Sequence, residues 1–251
     1  MDDSSPPGPD STGDGRATVS HRIVALLEVL ICSDYPTQLA VGNTFAAFGY
    51  APAGAGGTLN LSFVAGVSAI DTAFLLALIL AFLHAHGERP RDVLFGFRSL
   101  AAEAALGIPL TLAALALAAA VLLLVQTFAP ALHSVEHNPL QSLMQTPRDA
   151  WVFALVVVVA GGVREELQRA FQLHRFTRWL GGGHVGILVT SVAFGAGHLI
   201  VQGKDAAIAT GLLGAFWGVV YLRRRSAVAP MVSHAGFNLL QIGQFLVLKH
   251  L

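Results

Sequence analysis

Glu165 and Glu166 stand side by side after a charge-free run from Ala150 to Val163, with Arg164 before them and Arg169 after. A carboxylate can take a proton from water. Successive helical residues diverge by about 100°, so one arginine cannot serve both carboxylates equally, and the second is free for a water or a substrate group. The plain structural alternative is a helix end with an i,i+4 ion pair between Glu165 and Arg169. His198 sits in Ala-Phe-Gly-Ala-Gly-His-Leu, on the same helical face as Phe194, and Gly195 and Gly197 allow another backbone or a substrate to come close. In Pro-Met-Val-Ser-His-Ala-Gly-Phe-Asn, His234 and Asn238 again share one face. Taken singly, either histidine site reads equally well as interhelical hydrogen bonding, worth about 0.6 kcal/mol on average. Together they supply a carboxylate to deprotonate water, a histidine to hold that water, and a His/Asn pair to donate to a developing oxyanion. That set suits hydrolysis of an amide. No nucleophile competes: Cys32 lies in an irregular stretch, and Ser191 and Ser233 show no His-Asp relay.

These groups must be positioned by elements that live in lipid. The chain is 54% apolar and 12% charged, with a mean hydropathy of +0.64, whereas soluble domains are about a quarter charged. Four stretches carry no Asp, Glu, Lys or Arg: Tyr35 to Ile70, Ala104 to Val135, Trp179 to Gly203 and Ser226 to Leu248. Each exceeds the ~20 residues that span a bilayer as a helix. Apolar runs predict an all-α, polytopic membrane helix bundle of about seven transmembrane helices, at 22 to 47, 60 to 84, 104 to 129, 149 to 173, 185 to 202, 206 to 222 and 228 to 248. Glu28, Asp34 and Pro36 interrupt the first, which reads equally as two short helices. With the N-terminus inside, twelve of the fifteen Lys and Arg fall on the cytoplasmic side, leaving Arg148, Lys204 and Lys249 outside, so the arrangement is N-in/C-out.

Residues 1–20, rich in Pro, Gly, Ser and Asp, read as a disordered tail without the basic start and apolar core of a secretory signal. Residues 21–251 then form the membrane-embedded helical domain, with the candidate catalytic core at about 145–245. Zero net charge argues against a nucleic-acid partner. The lone Cys32 excludes an internal disulfide and a cysteine cluster for zinc. Abundant Ala, Gly and Arg with little Lys is a prokaryotic composition, which points to the plasma (inner) membrane.

The three motifs, Glu165-Glu166 with Arg169, Phe194 to His198 and His234 to Asn238, resemble those of the CPBP intramembrane proteases (CAAX protease and bacteriocin-processing, also called Abi), related to the Ras-converting CAAX endopeptidases. The resemblance covers residues 145 to 245. It implies an endopeptidase in which Glu165 with His198 activates a water, His234 and Asn238 stabilise the oxyanion, and Glu166 and Arg169 support them. It also implies a peptide or membrane-protein substrate, reached from the cytoplasmic side or the inner leaflet. The family is often labelled metalloprotease, and Glu165, His198 and His234 would be the ligands of a Zn2+ with water as the fourth. Water activation without zinc is the favoured reading.

Other polar groups are read more plainly. His133-Ser-Val-Glu136-His137 has the spacing of a zinc-protease motif but precedes Asn138-Pro139, which disfavours the helix such ligands need. Gly181 to Gly183 reads as a hinge. Asp71 either bonds to another helix, the preferred reading, or lines a wet cavity. Two further functions fit the sequence: a membrane scaffold or immunity protein that keeps the motifs as structural contacts, and a small transporter with Asp71 and Glu165 as proton carriers. The halves of the chain show no symmetry to support the latter.

Overall fold

A computed structural model describes residues 19–53, 59–132 and 139–249. The tail over residues 1–18 and the segment from His133 to His137 lie outside the described residues. Among those described, every long element is helical: α1 (Val19–Ile31), α2 (Tyr35–Ala47), α3 (Leu61–Ala85), a π turn (Arg91–Phe95), α4 (Leu100–Phe128), α5 (Pro147–Val156), a π-helical segment (Val157–Arg164), α6 (Glu165–Trp179), α7 (Gly183–Arg224) and α8 (Val228–Lys249).

Local chemistry sets the boundaries. The Asn60 side chain accepts from the Ser62 and Phe63 N–H groups and starts α3. Thr146 and Asp149 form a capping box at α5, with Pro147 in its first turn. The interrupted first span is two helices. The chain breaks between Ile31 and Tyr35, Asp34 takes a positive φ of 77°, and Pro36 falls in the first turn of α2, where its missing N–H costs nothing. Gly203, at φ 87°, reverses α7 so that residues 183–202 and 204–224 form two antiparallel arms. The arms pack tightly through glycines: a Cβ on Gly195 would lie 2.7 Å from the Ala207 carbonyl oxygen, and one on Gly183 2.6 Å from Leu222.

Four segments are long and apolar enough to cross a membrane: Val19–Ala47, Leu61–Ala85, Leu100–Phe128 and Gln202–Arg224. Gly183–Leu199 is apolar but shorter. Three of the seven sequence-predicted spans fall short of that measure, the stretch through α5 and α6, the first arm of α7, and α8. These are the elements that carry the polar motifs, which lower their hydropathy or leave the apolar run short.

Polarity is inverted relative to a protein dissolved in water. Leu112, Leu123, Leu188 and Val192 are exposed on the outside, while Glu103, Arg175, Asp71 and Glu166 are buried. Lipid rewards this arrangement, provided that the interior charges are paired. At one end of the bundle they are. Glu28 meets His86 (2.6 Å) and Arg175 (2.5 Å), Glu88 meets His174 (2.8 Å), Arg175 (2.5 Å) and Arg178 (2.8 Å), and Arg224 reaches Glu103 at 2.6 Å. Here α1 and the end of α3 are tied to α6, and α4 to α7.

Candidate active site

The site is built where the π-helical segment passes α8. A Cβ on Gly162 would lie 2.6 Å from that of Ala235 and 2.9 Å from its Cα, so glycine permits this approach, and one on Gly161 would lie 2.7 Å from Asn238 Nδ2 and displace that amide. The wider π turn carries the chain into α6, with the Glu165 N–H donating to the Ala160 carbonyl five residues back. Asn238 donates to the Val157 carbonyl at 3.3 Å.

The two glutamates have different surroundings. Glu166 is buried, ion-paired with Arg169, and accepts from His234 Nδ1 at 2.8 Å. Glu165 faces a cavity, 3.9 Å from His234 Nε2 and 3.4 Å from Arg164. Trp217 stacks on His234 with centroids 3.9 Å apart and donates its indole N–H to Ser233 Oγ at 3.1 Å, fixing the imidazole plane. The Arg169 guanidinium lies over the Phe194 ring at 4.8 Å, and Phe194 is edge-on to both His198 (4.8 Å) and His234 (6.3 Å). His198 Nδ1 donates to the Phe194 carbonyl at 2.8 Å, which leaves Nε2 for a partner in the cavity.

Glu165, His198, His234 and Asn238 all line one cavity of about 630 Å³, with Arg164 beside them. Glu166 and Arg169 lie behind its wall. The structural alternative, an i,i+4 pair of Glu165 with Arg169, gives way to the i,i+3 pair of Glu166 with Arg169, and Glu165 turns to Arg164 instead. Arg164 is the residue that the sequence left without a role. Its guanidinium is ion-paired with Asp34 from the α1–α2 break and lies 3.1 Å from Asp71 of α3, as well as meeting Glu165. Asp71 is therefore bonded to another helix, the preferred of its two readings. Asp34, legible in the sequence as an interruption of the first span just before Pro36 but not as a partner of this site, and Trp217 complete it.

The cavity runs away from the arginine-rich end. Arg164, Trp217 and His234 line it together with residues of the first turns of α3, the last turns of α4, the segment before α5, α5 itself, the π-helical segment, both arms of α7 and the later turns of α8, and Gln38 of α2. Trp217 belongs to this lining, and the pair of Glu166 with Arg169 does not. For zinc, no three His, Cys, Asp or Glu side chains among the described residues are placed to share one ion. Glu165 and His198 face the same cavity, while His234 already spends Nδ1 on Glu166.

Residues 147–240 match a protein family described as type II CAAX prenyl endopeptidase Rce1-like. The matched stretch contains Glu165, Glu166, Arg169, His198, His234 and Asn238, and agrees with the family resemblance carried by the motifs. No curated protein and no solved structure matches the chain significantly.

Proposed function

We propose that this chain is a CAAX-type intramembrane endopeptidase that hydrolyses a peptide bond by an activated water. Glu165 takes the proton from the water, and His198 holds that water through Nε2. In its doubly protonated form, with Nδ1–H held by Glu166, His234 donates through Nε2–H, alongside Asn238, to the oxyanion of the tetrahedral intermediate, which develops in a cavity shielded from bulk dielectric. Glu166 fixes the orientation of His234 from behind, and Arg169 neutralises Glu166. Glu165 then returns its proton to the leaving amine.

One observation supports this reading above the others: His234 lies between the two carboxylates, 2.8 Å from one and 3.9 Å from the other, in the wall of a cavity that His198 and Asn238 also line. A proton carrier role for Asp71 and Glu165 is disfavoured because both are held by the one Arg164. We assign seven crossings, counting the two arms of α7 separately and α5 with α6 as one, with the N-terminus inside and a prokaryotic plasma membrane as the setting. The substrate is a peptide or membrane protein.

The test is cleavage of a peptide library by the chain in liposomes. Wild type should cut, and Glu165→Gln and His234→Ala should not at matched folding. Equal cleavage by all three removes the hydrolytic assignment, and absence of cleavage by wild type favours a scaffold.

A further inference from the structure

Six of the chain's nine glutamines line the cavity: Gln38, Gln126, Gln141, Gln202, Gln241 and Gln244. They come from α2, α4, the segment before α5, α7 beside Gly203, and α8. Among the described residues, the side chains of Gln126, Gln202, Gln241 and Gln244 have no hydrogen-bond partner. Gln126, Gln241 and Gln244 are exposed and Gln202 half-buried, so their carboxamides stand open to the cavity mouth, whereas interhelical glue would show them bonded to one another or to a neighbouring helix.

A carboxamide carries an acceptor oxygen, two N–H donors and no charge, the same chemistry as a peptide unit. A helix in lipid has its backbone groups bonded internally, so a segment whose carbonyl is to be attacked must first open and find new partners for them. Neutral donor–acceptor walls suit that need. They do not suit an anionic ligand, since Arg164 is the only Arg or Lys in the described lining and is already engaged by three carboxylates.

The glutamines also mark a direction. Gln244 lies ten residues past His234 on α8, about 15 Å at 1.5 Å per residue, towards Lys249. Gln126 is in the last turn of α4, and Ser68 and Val64 belong to the first turns of α3. All point away from Arg98, Arg178 and Arg224. By the positive-charge rule this is the non-cytoplasmic face.

We infer that the glutamine-lined vestibule binds the extended main chain of an uncharged polypeptide segment, admitted from the face opposite the arginine-rich end. That the ligand is polypeptide rests on the hydrolytic reading, while the side of access does not.

A reporter cysteine tests both parts without requiring cleavage. Ser68→Cys is placed in a Cys32→Ala background, with Phe97→Cys as the control at the arginine-rich end, where Phe97 is exposed. A membrane-impermeant maleimide should label Ser68→Cys in right-side-out vesicles and Phe97→Cys only in inverted ones. Labelling of Ser68→Cys from the inverted side, or from neither while detergent-unfolded protein reacts, overturns the direction. An acetylated, amidated peptide of alternating Gly and Leu should then slow labelling by about tenfold more than its N-methylated counterpart, the scale of one or two lost hydrogen bonds. Gln126→Leu/Gln241→Leu/Gln244→Leu should erase that difference. Equal protection by both peptides, or by neither, overturns main-chain pairing. Failure of the hydrolytic reading would appear separately, as cleavage unchanged in Glu165→Gln.

Discussion

His234 Nδ1 stands 2.8 Å from Glu166 while its Nε2 faces Glu165 at 3.9 Å, so two carboxylates adjacent in sequence hold opposite edges of one imidazole. Their burial divides the work: the Glu166 side chain is 1% exposed and that of Glu165 18%. Glu165→Gln should therefore lower cleavage by about 10²–10⁴-fold and leave thermal unfolding in detergent nearly unchanged. Glu166→Gln should lower both, because Arg169 is left buried without its partner at a cost of about 3–5 kcal/mol.

Gly161 and Gly162 separate geometry from stability. An Ala methyl at position 161 pushes on the Asn238 amide, and a displacement near 1 Å costs about 10²-fold in rate. At position 162 it meets Ala235, backbone included, and should destabilise by about 1–3 kcal/mol. Paired measurement of kcat and unfolding temperature for Gly161→Ala and Gly162→Ala should show the two effects in different variants.

Arg164→Gln leaves Asp34, Asp71 and Glu165 without their shared cation. Unfolding should become easier by about 3–5 kcal/mol. Adding Asp34→Asn and Asp71→Asn to Arg164→Gln should recover part of that loss, which a thermal-shift series would read directly.

Glu88 provides a pH handle in the connection between α3 and α4. Burial raises its carboxyl pKa, but hydrogen bonds and charge from His174 and Arg175 outweigh this and hold it at about 2, below the ordinary 4.5. The folded value is the lower one, so the stabilisation is complete at neutral pH. It fades as pH drops from about 4.5 through about 2. Acid unfolding of wild type and Glu88→Gln should converge across that window.

Much of this was legible in the residues. The break at Asp34 and Pro36, the long apolar α3 and α4, and the two arms of α7 follow from runs and interruptions visible in one dimension. The three motifs also marked the cavity, because a polar side chain inside an apolar run is costly in lipid and persists where it is paired or faces water. What periodicity could not convey was partner choice. Arg169 pairs three residues back rather than four, and Arg164 is met by Asp34 across 130 positions. Such pairings depend on how helices approach, which glycines at positions 161, 162, 195 and 211 decide. The direction of the cavity was hidden for the same reason, since it is set by where Gly203 turns.

The π-helical stretch from Val157 to Arg164 holds more residues per turn than the helices on either side. Removing a single residue while the rest of the stretch kept its winding would swing everything beyond, Glu165 first, by about 80–100° around the axis. Every reactive group would survive such a deletion, and none would face its counterpart. Chain length through this stretch is thus as strict a requirement for the reaction as any side chain, and a one-residue deletion paired with a one-residue insertion nearby is the repair to seek in a suppressor screen.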